Sequence, residues 1–166
     1  LTVYTWSTSA DKLFAERDFK ITDKNGETIV IATSRWLYMD INRRRPVRIT
    51  PEIMDRYESE PETHVFTEKV NRIDPPDTGY IEIPYNILRR DVDYLGHMHN
   101  ISYLDAAYDV MPEEYFNGPQ FNFVSIEYRK ELLRNDEVKA HFYKIDKGCI
   151  ISLNTDKINA VIMLKY

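Results

Sequence analysis

Apolar and polar residues alternate along much of the chain, which is the period of half-buried strands. Three such runs cover residues 1–7, 13–21 and 28–41, and the pair Asn25-Gly26 between the second and third is a strong hairpin signal. In the run 28–41 apolar residues occupy both parities, which predicts a strand that is covered on both faces. We therefore predict three antiparallel strands in a meander that has no helix of its own.

The second half of the chain predicts one strand, one helix and four further strands. The first strand starts at Tyr80, and Pro84 within it indicates a sheet edge or a bulge. The four later strands are predicted over Phe121–Glu131, Glu137–Ile145, Cys149–Asn154 and Ile158–Tyr166. A strand, a helix and a four-strand antiparallel meander predict an α+β domain in which the sheet wraps around the helix.

The helix is predicted over Ile101–Met111, because apolar residues recur there at spacings of three and four. Its apolar face would consist of Ile101, Leu104, Tyr108 and Met111. Asn100 stands where a side-chain N-cap belongs, and Pro112 favours the end of the helix.

A polar cluster directly precedes this helix. Residues 91–100 contain the titratable and amide side chains of Asp91, Asp93, His97, His99 and Asn100. A helix N-terminus carries unpaired N–H groups and the positive end of the helix dipole. The cluster therefore lies where an anion, or an oxygen that becomes anionic in a reaction, would be stabilised.

Composition excludes several classes of protein. With 43% hydrophobic residues the 166-residue chain can form a core, and a net charge of -5 argues against a general nucleic-acid binder. No apolar run approaches the roughly 20 residues of a membrane helix. Cys149 is the single cysteine, so the chain has no intrachain disulfide, and we expect a reducing, cytoplasmic location.

The polar run from Asp91 to Tyr103 resembles the motif D-x-D-x-N-x-H-x-N-N-x-x-Y of acyl-acyl carrier protein thioesterases. Residues 5–49, with W-x-x-x-D followed by R-R-P, and IEYRKE at 126–131 resemble further parts of that family. The resemblance is to the bacterial, tandem type. It implies a hotdog fold, hydrolysis of fatty acyl thioesters without a cofactor, and acyl carrier protein with its pantetheine-linked acyl chain as partner.

The resemblance also implies a domain organisation. Residues 1–49 would be the strand meander of a truncated N-terminal hotdog repeat, 50–78 a connector, and 79–166 a complete C-terminal hotdog with the catalytic loop. The first strand and helix of the first repeat, with any targeting segment, would lie outside the sequence. An apolar sheet face would then lack its cover, and because exposed apolar faces drive association, a homodimer is one possible assembly.

Charge changes along the region around the connector. Arg43, Arg44 and Arg45 form a basic run, whereas residues 52–68 are mainly acidic. On the resemblance, the arginines would attract the acidic carrier protein or the phosphate of its pantetheine arm. The alternative is a solvated charged linker, which is what most charge runs are.

Thioester hydrolysis needs a proton acceptor for water and donors for the oxyanion. His97 is the natural acceptor because imidazole titrates near neutral pH, and Asp93 could orient the ring or bind the water. Glu131 matches the family's glutamate and is a candidate second carboxylate. His99 and Asn100 are oxyanion or substrate-orienting candidates.

Each of these assignments has a structural alternative. Asp93, His97 and His99 could simply cap a helix, and Glu131 could form a surface ion pair with Arg129 or Lys130. The spacing of the cluster matches no usual zinc site, so we predict no metal. His64, in the connector, is expected to be exposed without a special partner.

Three residues depart from the family pattern, and one of them is His99, which stands where the motif has the first Asn of N-N. Leu95 stands where the motif has an Asn, and Leu132 stands where plant relatives have a Cys. Leu132 argues against a thiolate nucleophile, and Cys149 does not replace it. Two other functions stay open: an acyl-CoA thioesterase of the same fold, and a non-catalytic hotdog that binds an acyl group, which Leu95 favours.

Overall fold

A computed structural model of the protein describes residues 1–66 and 71–166. The chain divides into two compact units, Leu1–Asn71 and Arg72–Tyr166. Residues 67–70, at the end of the predicted acidic stretch, lie outside the described residues. No helix in the described ranges has the length and apolar character needed to cross a membrane.

The first unit is built on a three-stranded antiparallel sheet in the order β1-β2-β3. Its strands are β1 (Thr2–Asp11), β2 (Phe14–Thr22) and β3 (Thr28–Leu37). In the turn before β3, Asp23 Oδ1 accepts the N–H groups of Asn25 and Glu27 at 2.8 and 2.9 Å. Gly26 supplies the positive φ of 87° that the turn requires, so the predicted meander and hairpin are confirmed.

The end and the covering of β3 differ from the prediction. The strand stops at Leu37 instead of Ile41, and the two-residue strand β4 (Met39–Asp40) then pairs with β5 (Arg45–Pro46). The prediction that both faces are covered is wrong, because β3 is an edge strand whose isoleucines are 42–53% exposed. The apolar side chains on both faces of β3 are therefore exposed among the described residues.

The first part of the predicted connector folds onto this sheet. It contains the short helix α1 (Pro51–Arg56) and a 3₁₀ turn (Pro61–Thr63). The N–H of Val65 donates to Oδ2 of the fully buried Asp18 at 2.8 Å, and His64 Nδ1 lies 3.6 Å from the same oxygen. His64 is exposed as predicted, but it does have a partner, a buried carboxylate. The domain boundaries proposed above stay a prediction.

The second unit is a five-stranded antiparallel sheet packed against one main helix. Its elements are β6 (Tyr80–Tyr85), α2 (Asn100–Asp109), α3 (Glu113–Phe116), β7 (Phe123–Tyr128), β8 (Val138–Ile145), β9 (Gly148–Asn154) and β10 (Ile158–Lys165). The strand order is β6-β8-β9-β10-β7. β6 lies at an edge, as Pro84 predicted.

The predicted four-strand meander is wrong for β7. Only β8, β9 and β10 follow one another in the sheet, whereas β7 pairs with β10 at the far edge, with Ile126 opposite Ile162. The chain after β7 must therefore cross from one edge of the sheet to β8. That crossing segment, residues 129–137, carries Glu131 to the polar loop.

The buried face of α2 is only partly the predicted one, since Met111 is buried and Leu104 packs against the core as predicted. Tyr103, Ala106, Ala107 and Val110 pack into the core, whereas Ile101 is 65% and Tyr108 37% exposed. The small residues Ala106 and Ala107 on the inner face let the helix backbone approach the sheet closely. The helix also includes Asn100, and its N-cap is His99, which makes no side-chain cap hydrogen bond. Capping by the Asn100 amide was thus a wrong prediction.

Candidate active site

A cleft of about 300 Å³ opens in the second unit between the polar loop, the start of α2 and the segment after β7. It is lined by Asp93, His97, Met98, Asn100, Tyr103, Tyr128, Arg129, Lys130 and Glu131. The structure thus brings four of the predicted site residues together: Asp93, His97, Asn100 and Glu131. His99 does not line the cleft.

Asp93 organises the loop through its backbone. Its Oδ1 accepts the N–H groups of Leu95 at 2.8 Å and His97 at 3.0 Å, and its own N–H donates to the His97 carbonyl at 2.8 Å. Gly96, with a φ of 81°, allows the tight turn between them. The His97 N–H lowers the pKa of Asp93, so the carboxylate is ionised near neutral pH. These bonds fix His97 by its backbone.

Glu131 reaches this loop from the other side of the cleft. Its Oε2 lies 3.3 Å from His97 Nε2, and both side chains are partly exposed, at 45% and 32%. The residues named as alternative partners pair elsewhere, Arg129 with Glu127 at 2.9 Å and Lys130 with Asp156 at 3.3 Å. A carboxylate beside an imidazole orients the ring, which suits a general base.

The residues after Glu131 connect the two sides of the cleft. The Met98 N–H donates to the Leu132 carbonyl at 2.8 Å, and His97 and Leu133 form an isolated antiparallel bridge. The Leu132 side chain is fully buried, so this position faces the core. Cys149 is also buried, and burial raises its pKa to about 12, which leaves it without a reactive thiolate at neutral pH.

The two predicted oxyanion candidates at the start of α2 differ in whether their backbone N–H groups already have an acceptor. The His99 N–H is already donated to the Asp91 carbonyl at 2.7 Å, so it is not free for a ligand. Among the described residues, the Asn100 N–H donates to no backbone acceptor. Asn100 also lines the cleft, so its N–H is the better candidate.

Two tyrosines that stand in the family-like stretches but were assigned no role, Tyr103 and Tyr128, join α2 to the segment at β7. Tyr128 donates its hydroxyl to the Asn100 carbonyl at 3.0 Å, and the Leu132 N–H donates to the Tyr103 hydroxyl at 3.2 Å. Their rings meet edge to face with centroids 5.0 Å apart. Burial raises the pKa of both phenols, so both hydroxyls stay protonated.

The remaining predicted residues do not line this cleft. Arg43, Arg44 and Arg45 form the exposed connection into β5 in the first unit, and Arg43 Nε lies 3.7 Å from Asp40. Leu95 is 61% exposed at the loop turn and contributes its backbone to Asp93. In the part of the chain that the structure describes, no three His, Cys, Asp or Glu side chains are grouped to hold a metal.

Comparisons with known proteins match both units. Residues 1–57 match the acyl-ACP thioesterase N-terminal domain (ACP, acyl carrier protein) and residues 76–164 match the C-terminal domain. The chain is 27% identical over 147 residues to oleoyl-acyl carrier protein thioesterase 2, chloroplastic, of Arabidopsis thaliana, covering 82% of this chain and 40% of that protein. It therefore spans about 40% of the length of the curated relatives that it matches.

Solved structures show the same fold. An acyl-ACP thioesterase from Bacteroides thetaiotaomicron matches with a TM-score of 0.80 at 20% identity, covering 98% of this chain and 67% of that one. The 12:0-ACP thioesterase from Umbellularia californica matches with a TM-score of 0.80 at 18% identity, covering 98% and 66%. The chain thus has the hotdog fold, and it belongs to the acyl-ACP thioesterase family.

Proposed function

We propose that the protein hydrolyses fatty acyl-ACP thioesters and releases free fatty acid at the cleft of the second unit. The observation that carries the proposal is the approach of Glu131 Oε2 to His97 Nε2, 3.3 Å, beside the N-terminus of α2. Family membership supports the choice of substrate class.

In this mechanism the His97–Glu131 pair takes the proton from a water molecule, and the resulting hydroxide attacks the thioester carbonyl carbon. The tetrahedral oxyanion is stabilised by the Asn100 N–H at the start of α2. When the carbon–sulfur bond breaks, the protonated pair returns its proton to the leaving thiolate. Asp93 keeps the loop in shape, and we assign no step to His99.

The carrier protein would be recognised outside the cleft. We propose the basic run Arg43, Arg44 and Arg45 for this role, because an exposed cationic segment attracts an acidic partner. The cytoplasmic location and a homodimer stay predictions. The curated relative named above is a chloroplastic protein.

Neither alternative function is favoured by a specific contact. A non-catalytic role was suggested by Leu95, but its side chain is exposed and does not line the cleft, so the missing amide leaves the His97–Glu131 pair in place. An acyl-CoA thioesterase would use the same cleft and differ only in how the carrier is held.

The proposal is tested by measuring fatty acid release by the full-length protein from one acyl chain carried either on ACP or on CoA. We expect kcat/KM to be higher on ACP, and Arg43→Ala/Arg44→Ala/Arg45→Ala to lower kcat/KM on ACP but not on CoA. Glu131→Gln should lower kcat about tenfold on both substrates. Equal turnover of both carriers would favour the CoA alternative, and no turnover of either by the folded protein would favour the non-catalytic one.

A further inference from the structure

β10 contains a bulge whose extra residue is Asn159. The pairing with β9 shifts from Ile158 opposite Asn154 to Ala160 opposite Leu153, so Asn159 has no partner in that ladder. Asn159 is fully buried. A buried amide group is normally hydrogen-bonded. The hydrogen-bond partners of Asn159 therefore show which parts of the chain the bulge connects.

Asn159 forms hydrogen bonds with three successive residues of the crossing segment, through its backbone carbonyl and its side-chain amide. Its carbonyl accepts the N–H groups of Arg129 at 2.8 Å and Lys130 at 3.0 Å. Its Nδ2 donates to the Glu131 carbonyl at 3.2 Å. One residue of β10 thus holds the chain from the end of β7 up to Glu131.

The Asn159 amide is itself held in one orientation. Its Oδ1 accepts the N–H of Thr155 at 2.9 Å, and the Thr155 hydroxyl lies 2.9 Å from both this oxygen and Asp156 Oδ1. Because a backbone N–H can only donate, the amide atom that faces it must be Oδ1, and Nδ2 then points to the Glu131 carbonyl. An aspartate here would lack that donor, and an alanine would lack the amide altogether.

The position of the Glu131 backbone matters because β7 ends at Tyr128, three residues earlier. On one side Glu131 is tied to Asn159, and on the other the Leu132 N–H is tied to the Tyr103 hydroxyl. A displacement of about 1 Å at a reacting group is enough to cost a large factor in rate.

We propose that Asn159 is a positioning residue for Glu131, which it holds within reach of His97 Nε2. The proposal rests on the proposed function, since it assumes that the His97–Glu131 pair carries the hydrolysis. Asn159 affects the reaction only through Glu131.

The test is a double-mutant cycle on acyl-ACP hydrolysis by the full-length protein, using Asn159→Ala, Glu131→Gln and the two combined. We expect Asn159→Ala to lower kcat about tenfold with KM nearly unchanged. In the Glu131→Gln background the same change should lower kcat by less than about twofold, since its effect passes through the carboxylate.

The matched control is Asn154→Ala. Asn154 is also a buried asparagine next to the same turn, but its Nδ2 donates to the Lys139 carbonyl at 3.0 Å and to Ser152. It does not line the cleft, so kcat should stay within about twofold of the parent.

Two outcomes overturn the positioning role and leave the proposed function intact: Asn159→Ala at parental kcat while Glu131→Gln is impaired, or effects that multiply in the double variant. If Glu131→Gln keeps parental kcat, the assignment of Glu131 fails and the positioning role fails with it. If Asn159→Ala does not fold, Thr155→Val replaces it. That variant removes the hydroxyl that Asn159 Oδ1 shares with Asp156 and should lower kcat about threefold only when Glu131 is present, and an unchanged kcat would refute the role.

Discussion

Ala106 is a buried residue of α2 within the core of the second unit, and its replacement by leucine tests the packing of that unit. Ala106 and its neighbour Ala107 are fully buried within the core. Leucine adds three carbon atoms where the helix already contacts the sheet. Overpacking of this kind costs about 1–3 kcal/mol, because side chains and backbone must shift to make room.

The matched change is Ile101→Ala on the opposite face of the same helix. Ile101 is 65% exposed, so only about a third of its surface can be lost from the contact with the protein. That loss is worth about 0.5–1 kcal/mol, and it is partly offset by the higher helix propensity of alanine. We expect the free energy of unfolding to change by less than about 0.5 kcal/mol.

The assay is denaturant unfolding of the full-length protein followed by far-ultraviolet circular dichroism, with thermal unfolding alongside. A loss of about 2 kcal/mol in a domain of about 100 residues lowers Tm by about 10 °C. If Ile101→Ala lowers stability by about 2 kcal/mol while Ala106→Leu is neutral, then the larger apolar face is the buried one and the helix orientation described here is wrong.

Two further predictions concern the sheet and the polar loop. Gly148→Ala would place a Cβ 2.0 Å from the Leu164 carbonyl oxygen, whereas Gly26→Ala meets nothing within 4 Å. We expect the first to cost about 3 kcal/mol and the second about 1 kcal/mol in denaturant unfolding, and equal losses would contradict this account. Because the folded-state pKa of Asp93 is lowered, its ionisation stabilises the fold above the unfolded pKa of about 3.9, and that contribution is lost as pH falls through the folded value. Asp93→Asn should therefore be less stable than the parent at neutral pH, and a gap that stays constant down to about pH 3 would show that the carboxylate charge contributes nothing.

The strands of the second unit were predictable because local signals agree there. The predicted bounds of β8, β9 and β10 differ from the observed ones by one residue, since alternation and the turns at Gly148 and Asn154 act within a few residues. The place of β7 was not predictable in this way. Which neighbour a strand pairs with depends on long-range contacts, here between Ile126 and Ile162, and chain order alone favoured a simple meander.

The prediction of the buried helix face was wrong in part, for a different reason. Periodicity selects the largest apolar residues, Ile101 and Tyr108, whereas close helix–sheet packing selects small ones such as Ala106 and Ala107. Alanine at helical spacing carries little signal in a sequence, because it is also the best residue for an exposed helix position.

The site was predicted in part. Asp93, His97 and Glu131 could be named because they match a motif, and the structure brings them to one cleft. Asn159 had no such signal, since its contact with Glu131 joins residues 28 positions apart and depends on a bulge. The contact between Asn159 and Glu131 can be seen only once the pairing of the strands is known.

The central claim is that His97 accepts the proton from water during thioester hydrolysis. The direct measurement is the rate of fatty acid release from acyl-ACP by the full-length protein carrying His97→Ala. The matched control is His141→Ala, because His141 Nε2 also lies close to a carboxylate, 3.0 Å from Glu82, but does not line the cleft. We expect His97→Ala to lower kcat about 100-fold or more and His141→Ala to leave it within about twofold. A folded His97→Ala protein that hydrolyses acyl-ACP at the parental rate would contradict the account.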